Sequence, residues 1–156
     1  MADLIFNRAK GRITEWAVRI NANDPANSVL VIEAINTTAT DATLRDLDDF
    51  AAIEADALTA EVTNGGYARK VLSDASGITI TFDDTNDRVD TDIPDQTWVA
   101  VAAGTAWTDL VIGYDSDSTA GTDAAILPGG LFDFVVTPDG SDITAQIAAA
   151  GIWRAA

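Results

Sequence analysis

Residues Gly77–Val101, GITITFDDTNDRVDTDIPDQTWVAV, decide the fold class. Ile78, Ile80 and Phe82 alternate with Thr79 and Thr81, so an extended chain there has one apolar and one polar face, the period-two pattern of a half-buried strand. The run Asp83-Asp84-Thr85-Asn86-Asp87 follows; its short polar side chains bond their own backbone and tolerate left-handed conformations, which predicts a reversal. Val89, Thr91 and Ile93 then oppose Asp90 and Asp92, and Pro94, which has no N–H for a ladder, marks a strand end. Trp98, Val99 and Val101 open a third apolar segment. Two or three antiparallel strands in sequence predict a β-rich domain.

The flanks fit that expectation. Val29-Leu30-Val31-Ile32 is a short apolar run rich in β-branched residues and predicts a buried strand. Tyr67–Leu72, after the turn signal Asn64-Gly65-Gly66, predicts another. Leu110, Ile112 and Tyr114 alternate with Val111 and Gly113 in a further strand; Asp115–Asp123 is a polar loop, and Pro128-Gly129-Gly130 follows a short apolar piece. Phe132, Phe134 and Val136 form an alternating face, Thr137-Pro138-Asp139-Gly140 suits a type I turn, and Ile143, Ala145 and Ile147 are predicted to return as the partner strand of a hairpin. Ile152 and Trp153 place an apolar pair at the end of the chain, which predicts an end pinned against its own core or a neighbouring subunit.

Two segments have helical spacing. Ala9, Ile13, Trp16, Ala17 and Ile20 predict an amphipathic helix over 8–20, with Asn7 as N-cap and Asn23-Asp24-Pro25 as its stop. Arg8, Arg12 and Arg19 lie opposite the apolar stripe with Lys10 nearby. Leu44, Leu47, Ala51, Ala55 and Leu58 recur at helical spacing and predict a second helix over 42–52, with Asp46, Asp48 and Asp49 in its early turns, where the helix dipole favours acids. The expected architecture is α+β and β-rich: an antiparallel β-sandwich or curled sheet with one or two helices in the N-terminal third, residues 1–156 forming a single domain.

Composition narrows the function classes. The chain has 156 residues, 47% of them hydrophobic, enough to bury a core, and a formal charge of −16. Its 25 acids are 21 Asp and 4 Glu, so the acidity belongs to turns and loops. Such a surface repels phosphate backbones and predicts no nucleic-acid partner. There is no cysteine and no histidine, which removes disulfides, thiolate catalysis, zinc sites of the usual kind and histidine acid–base chemistry. Leu4-Ile5-Phe6 is too short an apolar run for a signal core or a membrane span, so no membrane association and synthesis in a cytoplasm are expected.

Acids are the remaining source of chemistry. Asp83, Asp84, Asp87, Asp90, Asp92 and Asp95 contain enough carboxylates for a hydrolytic pair, but their spacing selects no pair over another, and solvated turn carboxylates account for them equally. Asp83–Asp87 and Asp115–Thr119 offer the alternating oxygen ligands that calcium takes, yet neither has the glycine and closing Glu of an EF-hand. The expectation is a protein with no catalytic residues and no cofactor, calcium being the one ion its loops could take.

A resemblance supplies what residue chemistry does not. Asn7-Arg8-Ala9-Lys10-Gly11-Arg12, Asn23–Ser28, Asp41–Asp46, Tyr67-Ala68-Arg69-Lys70, Asp83–Asp90, Ile93–Trp98 and Val136–Asp142 together resemble a family of small virion proteins from the structural-gene region of tailed bacteriophages, particularly those infecting actinobacteria. The resemblance spans nearly the whole chain and is specific only as a set. It implies a particle component, most simply a capsid decoration (cement) protein on the outside of the head lattice, with the major capsid protein and copies of itself, as a homotrimer, for partners. The interface candidates are Arg8, Arg12, Arg19, Trp107 and Trp153, each of which a core or solvated-surface role would also explain. Two rivals follow: a tail or fibre-associated component binding a host glycan through Tyr67, Trp98, Trp107 and Tyr114, and a carboxylate-dependent cell-wall hydrolase.

Overall fold

Strand and helix boundaries follow local chemistry in the computed structural model, which describes residues 2–155. A two-residue strand β1 (Leu4–Ile5) and a 3-10 turn at Asn7–Ala9 precede helix α1 (Ile13–Ala22). α1 ends where Asn23 turns left-handed and its N–H reaches the carbonyls of Arg19 and Ile20. Strand β2 (Val29–Thr37) leads to two short helices, α2 (Asp41–Arg45) and α3 (Phe50–Ala55). Thr40 caps the first and Asp49 the second, each side chain accepting from the third N–H beyond it. The remainder is β: β3 (Thr59–Glu61), β4 (Lys70–Leu72), β5 (Thr79–Asp83), β6 (Arg88–Asp92), β7 (Gln96–Trp98), β8 (Trp107–Asp115), β9 (Leu127–Val136), β10 (Ile143–Ala145) and β11 (Trp153–Ala155).

The central sheet has the order β1-β9-β8-β2, with β3 and β4 both on the far edge of β2, beside Ile35–Thr37 and Leu30–Ile32 respectively. Every pairing is antiparallel. Two smaller antiparallel sheets, β11-β6-β5 and β10-β7, complete the body. The fold is α+β and β-rich, as its alternating segments predict.

β2 and β8 are buried along almost their whole length, because the central sheet is covered on both faces. Leu30, Ile32 and Ala34 of β2 join Trp16 and Ile20 of α1, Ile112 and Tyr114 of β8, and Trp98, Trp107 and Trp153. Val29, Val31 and Ile35 join Leu44, Phe50 and Ile53 of α2 and α3, with Val111 and Leu131. On the first face Trp107 meets Trp98 edge-on at 5.1 Å and Tyr67 at 5.3 Å, and Trp16 stacks on Tyr114 at 5.4 Å.

Several expectations are corrected. The predicted hairpin of Phe132–Val136 with Ile143–Ile147 does not form: β9 pairs with β8 and β1, and β10 pairs with β7. The Pro138–Asp142 loop is bonded to the chain after β7 instead, through Gly140 N to Val101 O, Val101 N to Ser141 O, and Ala100 N to the Asp142 carboxylate. The 8–20 helix starts only at Ile13, because Gly11 takes a left-handed φ of 77° that no helix interior accepts. The 42–52 helix is divided in two between Arg45 and Phe50. Pro128-Gly129-Gly130, for which the sequence predicts no element, lies within β9. Along β5 the apolar row runs out of the core: Ile78 is buried just before it, but Phe82 is 69% exposed.

Candidate functional site

β2 carries one charged residue in its apolar run. Glu33 lies between Val31 and Ile35 on the face that α3 covers, and its side chain is 1% exposed. An ionised carboxylate there costs several kcal/mol unless a cation answers it, and the cation is Arg69, at the approach to β4. Because β3 and β4 flank β2 on one edge, Glu61 of β3 and Arg69 reach the same point; α3 adds Glu54 and the turn after β8 adds Asp123.

Arg69 contacts all four carboxylates. Its Nε donates to Glu61 Oε1 at 2.9 Å and its Nη2 to Glu61 Oε2 at 3.0 Å. Nη2 also binds Glu54, and Nη1 binds Asp123. Nη2 is 3.0 Å from Glu33 Oε2, an ion-pair contact without hydrogen-bond alignment, and neither Glu33 oxygen has a hydrogen-bond partner among the described residues. The guanidinium stands 5.8 Å from the Phe50 ring centre. Tyr67 closes the cluster: its hydroxyl donates to Glu61 Oε1 at 3.0 Å and accepts from Ala34 N at 2.9 Å.

One guanidinium cannot balance four carboxylates. Burial pushes Glu33 up to about 8, with the neighbouring acids adding to the shift and Arg69 only partly offsetting it. Glu33 is therefore protonated at neutral pH, while burial also raises Glu54. Glu33, Glu54 and Glu61 bring one oxygen each within 4.8 Å of one another, a donor set that suits a hard cation. The Arg69 guanidinium, however, lies among those oxygens and serves as the counter-ion. An acid that keeps its proton at neutral pH is the raw material of general acid catalysis, but this one is closed off from solvent under Arg69. The arrangement ties α3, β2, β3 and the turn at Asp123–Ala125 together. Sequence reasoning passed over it, although a lone Glu inside VLVIEAI is a signal that a buried strand needs a cation nearby.

The residues singled out from the sequence are scattered. Arg8, Arg12 and Arg19 are exposed; Arg8 is 3.8 Å from Asp48 and Arg19 is 2.8 Å from Glu15. Trp107 and Trp153 are 0% and 3% exposed, so neither offers the exposed aromatic surface predicted for it. The end is pinned by its own core: β11 pairs with β6, and Trp153 lies across Gly129 and Gly130 of β9. Of the aromatic set proposed for a glycan, Trp98, Trp107 and Tyr114 are also buried and pack within the core.

Most of the turn acids are engaged within the chain, Asp84 and Asp87 having no partner among the described residues. Asp83 accepts from Thr85 N, Asn86 N and the Asn86 amide, which lowers its pKa, and pairs with Arg88 at 3.1 Å. Asp90 pairs with Arg154 and Arg88, Asp92 accepts from Ile93 N, and Asp95 from Ile147 N. In the second loop Asp115 accepts from Asp117 N, and Asp117 from Thr119. These are turn-closing bonds between short-range neighbours, apart from the Arg154 pair and the bond to Ile147.

No protein-family model, curated protein or solved structure matches the chain. Among the described residues no helix is long and apolar enough to cross a membrane.

Proposed function

We propose that this chain is a non-enzymatic structural protein of a tailed-bacteriophage particle, a decoration protein that binds the outside of the head lattice through the major capsid protein and through copies of itself. The resemblance of its sequence to such virion proteins supplies the particle. The observation that carries the reading is the distribution of positive charge. Of the nine basic residues only Arg8, Lys10, Arg12, Arg19 and Arg154 are exposed. Four of these lie within residues 8–19, and Lys10 lines one surface depression with Arg154.

A molecule with a net charge of −16 thus gathers its exposed cations on α1, the segment before it and β11. That polarity suits a subunit that meets acidic neighbours in a fixed orientation, repeated over a lattice, because complementary patches set orientation and partner choice. The internal Arg69 cluster fits a body that must hold its shape, and it leaves the buried acid no access to a substrate. Of the rivals, the tail-bound glycan reader keeps the particle and differs in place; the hydrolase would need two acids facing each other across an open cleft.

Quantitative mass spectrometry of purified virions whose genome encodes the chain tests the reading. Copy numbers comparable to that of the major capsid protein are expected. A few copies per particle would move the protein to the tail, and its absence from virions would end the proposal.

A further inference from the structure

β5 lies at the edge of the small sheet β11-β6-β5, and nothing blunts that edge. Residues 79–83 have backbone partners in β6 and in their own turn, and none on the other side among the described residues. The strand is five residues long, contains no proline or lysine, and pairs with β6 in unbroken register, so it lacks the devices that keep edge strands apart. Residues 75–82, ASGITITF, carry no charged side chain in a chain of net charge −16. The outer row of amide and carbonyl groups on β5 is therefore a template for one more strand.

An apolar strip leads to this edge. Phe82 stands opposite Val89, and Val89 opposite Ala155, so the three form a row across β5, β6 and β11. They line one open surface, with Phe82 69% exposed. The next row, Ile80, Thr91 and Trp153, runs from a half-buried residue at the edge into the core. Ile80 and Phe82 are thus both accessible where a further strand would lie.

We infer that β5 of one copy pairs antiparallel with β5 of a second copy about a two-fold axis at Thr81. This deepens the assembly reading above, on which it rests for the place of assembly, by naming the surface through which copies meet. In that register Thr81 meets Thr81 and Ile80 meets Phe82, pairs that stabilise neighbouring strands, and the row Ala155–Val89–Phe82 continues onto Ile80 of the second copy. A slip of one residue would set Phe82 against a threonine and put the apolar faces on opposite sides. Charge selects a second copy as the occupant. Two bodies of charge −16 repel over most of their surfaces, whereas here two uncharged strands meet and their antiparallel sense sends the acidic turns to opposite ends. The two Asp83 residues lie four residues apart along the pair, about 13 Å, beyond the screening length of about 8 Å at physiological salt. Asp84 and Asp87 lie farther out. The same patch serves both copies, so the contact is isologous and closes at a dimer.

The test is self-association of the purified chain, measured by size-exclusion chromatography with light scattering. The wild type is expected to pass from monomer to dimer between about 10 µM and 1 mM, and more readily as salt rises, because screening weakens the repulsion of the acidic bodies while the edge itself is uncharged. Thr81→Lys places like charges on the axis and is expected to weaken association at least about tenfold; the side chain is exposed, so an unchanged unfolding midpoint controls for folding. The chain has no cysteine, which makes single cysteines clean reporters of register. Thr81→Cys brings two thiols within disulfide reach across the axis and is expected to form a covalent dimer under mild oxidation at least about tenfold faster than Thr79→Cys, an equally exposed position whose two copies would lie about 13 Å apart. A wild type monomeric throughout that range, growth beyond a dimer, dissociation by salt, a Thr81→Lys variant that associates like the wild type, or equal cross-linking of the two cysteine variants would each overturn the pairing. The measurement uses the purified chain alone, so its failure leaves the particle reading to be decided on virions.

Discussion

Glu33 makes this protein's stability depend on pH in a direction opposite to that of its surface acids. Its folded pKa of about 8 lies above the ordinary value of 4.5, so the folded chain binds a proton that the unfolded chain has released. The resulting stabilisation is complete below about pH 4.5 and is lost as pH rises toward 8, with a slope approaching about 1.4 kcal/mol per pH unit. Asp83, Asp90, Asp117 and Asp139, whose pKa values are lowered by side-chain hydrogen bonds, act in the opposite sense and only under acid conditions. Urea unfolding between pH 5 and 9 should therefore show falling stability in the wild type and a flatter profile in Glu33→Gln, the variant being the more stable at pH 9. An unchanged slope in the variant would place the titrating group elsewhere. At this scale the sequence was least legible. A one-dimensional reading leaves Trp107 and Trp153 open between an interface and the core; both lie in the core, because burial is decided by partners far along the chain such as Trp98 and Gly129.

Strand existence was more legible than strand partnership. The β5–β6 hairpin follows from alternation and a turn whose Asp83 carboxylate closes on its own backbone, so both strands and their pairing are local information. β9 and β10 alternate just as clearly, but period two says only that a strand has two faces, and their partners β8 and β7 are set by long-range packing. The glycines of β9 carry no local signal of their role for a similar reason: the space they leave is filled by a side chain about two dozen residues later. A Cβ at Gly129 would lie 2.6 Å from Trp153 Cζ2 and 2.9 Å from Ile112 O. Gly129→Ala is expected to cost about 1–3 kcal/mol by overpacking and to loosen β11, seen as faster amide exchange at Trp153 and Arg154. Full stability with unchanged exchange would mean that the tail does not depend on this close approach.

For the whole molecule the central features are a sheet buried on both faces and a surface whose acids are dispersed while its exposed cations are gathered. The β-rich class was readable from the chain because apolar alternation recurs in many segments, and the acidic loops from the excess of Asp over Glu. The two-faced central sheet was only half readable: the continuous run Val29–Ile32 announces a strand buried on both sides, but which segments cover it is not local information.

The most direct measurement is a cryo-EM map of the intact particle whose genome encodes the chain. The account predicts density for this fold on the outer surface of the head at symmetry-related positions. A bare head with the density on the tail, or no density for the chain anywhere on the particle, would contradict it.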